Sequence, residues 1–288
     1  MIRTFQITLV LIYLLLVEFS FLILLALSGV AVPDRAAILI TVGWLFLCFS
    51  SGYWLAPYFY FRHSSLRKPV FEEEERLKVC FEKVQERSNC KRNFRLLVEE
   101  SMELNASAIG RHTIAVTRGM LEQMTDEELK GLLAHELGHH LNKDTLVMAA
   151  FGTASVLSGS LRRFLTAILI RLFAADKLRL IIALFLLVMV LPVQFLTITG
   201  ACLAFVLLFA LADPLFRQAC LCSSRFIEYK QDAYAHQLGF GQELKEALRK
   251  LTLEGPQEVN TYFILTKSSH PVIYNRIRRL ERLEGLRS

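Results

Sequence analysis

The chain is poor in the features that mark disulfide-stapled, nucleic-acid-binding or secreted proteins. Its 288 residues hold six cysteines: Cys48, Cys80, Cys90, Cys202, Cys220 and Cys222. Cys48 and Cys202 lie in apolar runs and read as packing residues. Cys220-Leu221-Cys222 lacks the spacing of a zinc knuckle, so free thiols are expected rather than a disulfide framework. No nucleic-acid motif is present. The formal net charge of +6 and pI of about 9.0 therefore read as basic flanks of membrane segments. Polar interruption is scarce too. Leu9 to Val32 is broken only by Glu18, Ser20 and Ser28, and Ala36 to Phe61 forms a second apolar run. Each exceeds the ~20 residues that span a hydrocarbon core. The first is too long for a signal-peptide core and has no small-residue cleavage site, which makes it a retained anchor. With 53% hydrophobic residues and a mean hydropathy of +0.40, the chain is too apolar for an ordinary soluble protein of this size.

Pro33-Asp34-Arg35 joins the two runs as a helical hairpin, and Arg62, His63, Arg67 and Lys68 follow the second. The positive-inside rule puts the N-terminus and the segment after Phe61 in the cytoplasm. A further apolar region follows Asp144. One block runs from Leu146 to Ile170 around Arg162-Arg163, another from Leu180 to Phe216 around Pro192, with Asp176-Lys177-Leu178-Arg179 between. If both flanks of this insert serve one site, it crosses the membrane an even number of times. Two crossings, giving four spans in all, suit the apolar content. The basic pair inside the first block opposes this, and the alternative is an interfacial helix from Leu146 to Ala175 with a kinked hairpin after it. The expected domains are a transmembrane hairpin over 1–61, the first part of a cytoplasmic domain over 62–144, a membrane-associated insert over 145–216 and the second part of that domain over 217–288.

Between the membrane segments lies the chemistry. His135-Glu136-Leu137-Gly138-His139 reads H-E-x-x-H. Residues four apart share a helix face, so both imidazoles can hold one metal ion while the glutamate reaches a water on it. The helix itself is well specified. Thr125 with Glu128 forms a capping box, acids fill the first turn, and Leu129, Leu132, Leu133 and Leu137 recur at helical spacing. The pattern predicts a helix from Asp126 to about Lys143. His140 projects about 100° from His139 and is not expected to ligate the same ion. Upstream, Glu72 to Glu86 reads as a charged scaffold helix, and Phe94–Val98, Glu103–Ile109 and Thr113–Thr117 read as strands of a small antiparallel sheet. The metal needs a third protein ligand. Candidates after the insert include Glu228, Asp232, His236, Glu243 and His270. Glu228 and Asp232 share a helix face, which suits a ligand with a carboxylate behind it, but the spacing also suits a solvated acidic face. His270 precedes Pro271 and could equally cap a helix over Val272 to Leu283.

Four blocks, in order, resemble the HtpX family of membrane zinc metallopeptidases, relatives of the CaaX prenyl proteases. They are Asn105-Ala106-Ser107-Ala108-Ile109-Gly110, the H-E-x-x-H block with Asn142-Lys143-Asp144, Ser224 to Asp232, and Ser269-His270-Pro271 with Arg276-Ile277. The resemblance covers nearly the whole chain. It implies an integral membrane protein, mainly α, with a cytoplasmic α+β zincin-like (gluzincin) domain. It implies one Zn²⁺ per chain held by His135, His139 and Glu228, with Glu136 as general base and Asp232 orienting a zinc histidine. His270 would stabilise the oxyanion, Arg276 would support the pocket, and Asn105 and Ala106 would lie on the strand that receives an extended peptide. Implied partners are the lipid bilayer and protein substrates, misfolded or membrane-borne, at a bacterial inner membrane, and no nucleic acid. A membrane scaffold with structural zinc and a prenyl-peptide protease are the alternatives. Gln231 departs from the family's usual alanine before the aspartate.

Overall fold

The structure, a computed structural model, describes residues 2–27, 32–63, 65–173, 193–254 and 272–285. His270, Pro271 and Pro192 lie outside the described residues. In chain order the elements are α1 (Ile2–Leu27), α2 (Asp34–His63), β1 (Leu66–Arg67), α3 (Phe71–Ser88), β2 (Arg95–Glu99), β3 (Ala106–Ile109) and β4 (Thr113–Thr117). They continue with α4 (Arg118–Gln123), α5 (Asp126–Asn142), α6 (Asp144–Phe173), α7 (Val193–Gln237), α8 (Gly241–Glu254) and α9 (Ile273–Gly285). Two compact units emerge: residues 1–6, 51–149 and 220–288 form one, and residues 7–50 with 150–219 form the other.

In the first unit α5 is the centre, and its sequence explains its precision. The Thr125 side chain accepts from the Glu128 N–H, and the Glu128 carboxylate accepts from the Thr125 N–H at 2.7 Å. This closes the expected capping box and satisfies amides the helix leaves open at its start. At the other end Lys143 turns left-handed with φ 56° and donates its N–H to the carbonyls of His139 and His140. The leucines expected on one face are all inside: Leu129, Leu133 and Leu137 are fully buried. Each contributes about 1.5–3 kcal/mol. They pack with Leu77 and Val84 of α3, Ile114 and Val116 of β4, and Leu244 and Leu248 of α8.

Gly131 sets the closest of these approaches. A Cβ built there falls 2.4 Å from the Leu244 backbone nitrogen. The two helix backbones therefore touch where only glycine leaves room. Gly131→Ala is expected to destabilise this unit by about 1–3 kcal/mol, as over-packing against an unyielding backbone does; thermal unfolding of the purified variant checks it.

The sheet corrects one expectation. Its order is β1-β2-β4-β3, and it is mixed rather than antiparallel. β3 and β4 form the antiparallel hairpin, with Ala106 opposite Val116, but β2 pairs with β4 in parallel, Leu96 beside Ile114. The reason is topological: the chain reverses at β3 and again at β4, and β4 inserts between β2 and β3. All five β4 residues are buried, as suits a central strand, and β3 is left at the edge. The two-residue β1, antiparallel to β2, and the six-residue α4 carried no periodicity to announce them.

In the second unit, α1, α6 and α7 meet around Tyr13, which is fully buried. Its hydroxyl donates to Asp213 at 2.6 Å and lies 2.8 Å from the Ser158 hydroxyl. Phe151 and Phe216 pack on its ring, each at 5.0 Å. α6 is not interrupted at the arginine pair: Arg162 lies 3.9 Å from Asp213, an acidic neighbour that the sequence pattern did not announce. α1 is also tied to α2, where Thr41 donates to Glu18 at 2.6 Å and the Trp44 indole donates to the Leu14 carbonyl. Among the described residues two helices are long and apolar enough to cross a membrane, over Thr4–Leu27 and Thr197–Gln237. α7 joins such an apolar run to polar sequence with no break at residue 217, although Pro214 lies inside it.

Candidate metal centre

α5 and α7 bring three metal-competent side chains together. One ligand atom from each of His135, His139 and Glu228 lies within 4.8 Å of the others. The His135 Nε2 faces one oxygen of Glu228 at 3.3 Å, and the His139 Nε2 faces the other at 3.3 Å. The two rings stand 5.0 Å apart at 77°. Helical spacing of four supplies the histidine pair, and the length of α7 supplies the carboxylate from 89 positions along the chain from His139.

The partners of the other ring nitrogens settle what these faces can do. His135 Nδ1 lies 2.9 Å from Asp232 Oδ1. Arg276 Nη2 is 3.3 Å from the same nitrogen. A guanidinium has only protons to offer, so the Nδ1 hydrogen goes to Asp232 and the Nε2 lone pair points at Glu228. His139 Nδ1 faces Asp144 Oδ2 at 3.6 Å. Two nitrogen lone pairs and a carboxylate thus converge, an arrangement stable only around a cation or added protons. Ligands 2.0–2.2 Å from a tetrahedral ion stand about 3.3–3.5 Å apart, which the two 3.3 Å separations match. The residues fit a metal of the type that imidazole and carboxylate select.

Charge around the trio is balanced by Arg276 on α9. Its guanidinium grips Asp232 through two bonds, at 2.6 and 2.9 Å, and stands 3.4 Å from Glu228. Burial alone would raise the Asp232 carboxyl, but Arg276 and His135 outweigh it and hold its pKa below the usual range. Burial and Arg276 would lower His135, but Asp232 and Glu228 reverse that and raise it. For His139, burial is likewise overcome, by Asp144 and Glu228, and its pKa is pushed up to about 10.

Glu136 is buried on the same helix between the two histidines. His140 is not part of the trio: its Nε2 lies 2.9 Å from the Thr113 carbonyl and its ring packs on Phe94, tying α5 to β4. Ala106 opens the edge strand and Asn105 immediately precedes it, and β3 packs beside α5. The Asn105 carbonyl accepts from the Thr117 N–H and its N–H reaches the Thr117 hydroxyl. Ladder alternation then turns the main-chain groups of Ala106 and Ala108 outward. His236 and Glu243, the other third-ligand candidates among the described residues, are not in the trio. Two residues went unassigned in the sequence reading. Asp144, in the N-x-D block, proves to face His139, and Gln231 donates to Asp144 at 2.7 Å.

A largely buried metal-competent trio, two of its members on a glutamate-bearing helix beside an open sheet edge, is the working plan of a metallopeptidase. The chain belongs to peptidase family M48, whose model matches residues 72–284. It is similar to "Protease HtpX homolog" of Aquifex aeolicus (strain VF5), with 33% identity over 135 residues, 46% of this chain and 44% of that protein. It is also similar to "Protease HtpX" of Legionella pneumophila (strain Corby), with 44% identity over 66 residues, 21% of this chain and 24% of that protein. The chain thus spans less than half the length of these curated relatives. A crystal structure of S. mikatae Ste24p shares the fold, with a TM-score of 0.54 and 18% identity, covering 91% of this chain and 61% of that one.

Proposed function

We propose that the protein is a membrane-integral zinc endopeptidase that cleaves extended segments of misfolded or membrane-borne proteins. The observation that carries this reading is the convergence of both motif histidines on the two oxygens of Glu228, each at 3.3 Å, with Glu136 on the same helix. Zinc bound by His135, His139 and Glu228 would supply a Lewis acid and an acidified water. Glu136 takes the proton released in attack on the scissile carbonyl and hands it to the leaving amine. Asp232 and Arg276 hold His135 in its ligating tautomer. The outward main chain of Ala106 and Ala108 pairs with substrate as an added strand, which reads backbone more than side chains and favours unfolded segments. His270, outside the described residues, is assigned the oxyanion-donor role on its motif resemblance. The two apolar helices support anchoring in the bilayer. The basic flank Arg62 to Lys68 supports a cytoplasmic site, while the apolar content of the chain favours four spans and the family resemblance a bacterial inner membrane. Family membership and the resemblance to HtpX favour a quality-control role over prenyl-peptide processing.

The test is metal removal and return. Full-length protein purified in detergent under chelation is expected to lose cleavage of an unfolded model substrate and to regain it on adding zinc. Turnover that persists without metal would overturn the reading. Loading should also depend on pH. With the His139 pKa pushed up to about 10 and that of His135 raised, zinc must displace protons at neutral pH. Apparent zinc affinity therefore rises with pH, by at least about tenfold per unit between pH 6 and 8. A zinc titration at several pH values, following proton release, checks this.

A further inference from the structure

We infer that Gln231 is a positioning residue for His139, acting through Asp144; this rests on the metal-site reading above. Four side chains form a chain of hydrogen bonds from solvent to the site. The exposed Lys230 ammonium donates to Asn142 Oδ1 at 2.8 Å. Asn142 Nδ2 donates to Gln231 Oε1 at 3.0 Å, and also to the Gly138 carbonyl at 2.9 Å. Gln231 Nε2 donates to Asp144 Oδ2 at 2.7 Å, and that same oxygen faces His139 Nδ1 at 3.6 Å.

The direction of this chain is fixed by its ends. An ammonium can only donate and an ionised carboxylate can only accept, so each intervening amide has one orientation. Neither amide can flip without placing two donors or two acceptors face to face. Asp144 is therefore held with its oxygen toward His139, about 0.5 Å beyond a hydrogen bond, which selects the Nδ1–H tautomer of the neutral imidazole and leaves its Nε2 lone pair for the metal position. Gln231 is fully buried and lies flat on α5 where a glycine makes room: a Cβ on Gly138 would come 2.5 Å from Gln231 Oε1. Small residue and long amide are complementary. His135 thus has Asp232 held by Arg276, and His139 has Asp144 held by Gln231.

Partners of this kind are worth about ten- to a hundredfold in metal affinity. The experiment uses full-length protein in detergent in a Glu136→Gln background, so that self-cleavage cannot interfere. Zinc affinity is read by chelator competition, and ligand geometry by the visible absorption of the cobalt-substituted site. Gln231→Met keeps the stem against Gly138 but removes both hydrogen bonds; Asp144→Asn removes the carboxylate charge and one of its two acceptor oxygens. Both are expected to weaken zinc binding by about ten- to a hundredfold and to shift the cobalt bands. Lys230→Met, at the exposed end, is expected to shift both readouts less and in the same direction, without touching the core. His139→Ala is the reference. If it keeps tight zinc, the metal-site reading itself fails. If it loses zinc while Gln231→Met, Asp144→Asn and Lys230→Met all bind with wild-type affinity and unchanged cobalt bands, the positioning role alone is overturned.

Discussion

Glu136→Gln is expected to leave zinc binding near the wild-type level and to lower peptide-bond cleavage by about 10²–10⁴-fold. The two effects separate because Glu136 is not one of the three residues whose ligand atoms cluster. The amide preserves the side chain's volume in a buried position and so leaves the packing of α5 intact. What it removes is the only function the mechanism gives this residue: accepting a proton and passing it on. A structural metal site would keep its zinc but show no loss of cleavage, since a base next to its ligands has no task there. Equal turnover of wild type and variant, measured on an unfolded substrate with matched zinc content, would sink the role of Glu136 in the proposed chemistry.

Much of this site could be read from local sequence because its key signals are local. The capping box, the leucine periodicity and the i, i+4 histidines all lie within one helix, where 3.6-residue geometry converts spacing directly into position. The helix end at Lys143 marks where that conversion stops. Asp144 is five residues from His139 but follows a left-handed residue, so no helical spacing predicts that it turns back to face the imidazole. Gln231 was legible only as a departure from a resembling motif, and its meaning required Gly138 and Asn142 across the helix pair. The sheet failed for a related reason. Alternation and β-branching located β2, β3 and β4 within a few residues, but which strand lies in the middle depends on non-local pairing. The apolar run of α7 was legible in hydropathy, while the Arg162 pair became intelligible only with Asp213 alongside on α7.

The other large effect concerns Arg276. Removing it as Arg276→Ala leaves the Asp232 carboxylate buried with its main counter-charge gone and leaves Glu228 without its guanidinium neighbour at 3.4 Å. Breaking one side of such a buried pair costs about 3–5 kcal/mol, because the surviving carboxylate loses its guanidinium and keeps only the His135 ring, out of reach of water. The expected result is a large drop in the unfolding temperature of the metal-free protein. Its pH dependence has a definite sign. In the wild type the Asp232 pKa is lowered on folding, so its contribution is present above the unfolded carboxyl pKa and is lost as pH falls through the folded one. In the variant the guanidinium no longer offsets burial, so the Asp232 pKa moves up from its wild-type position, and acidification protonates Asp232 and relieves the penalty. The stability gap between the two proteins should therefore narrow as pH falls from 7 toward 5; a gap constant over that range would mean that Asp232 is not charged in the fold. Removing both partners, as Arg276→Met with Asp232→Leu, should recover much of the stability, since a well-packed apolar pair replaces a buried ion pair at little cost. It should not recover the site: without Asp232 nothing holds His135 in its ligating tautomer, and zinc affinity should remain about ten- to a hundredfold below wild type. A double variant that regains both stability and zinc binding would reduce the Arg276–Asp232 pair to a packing element.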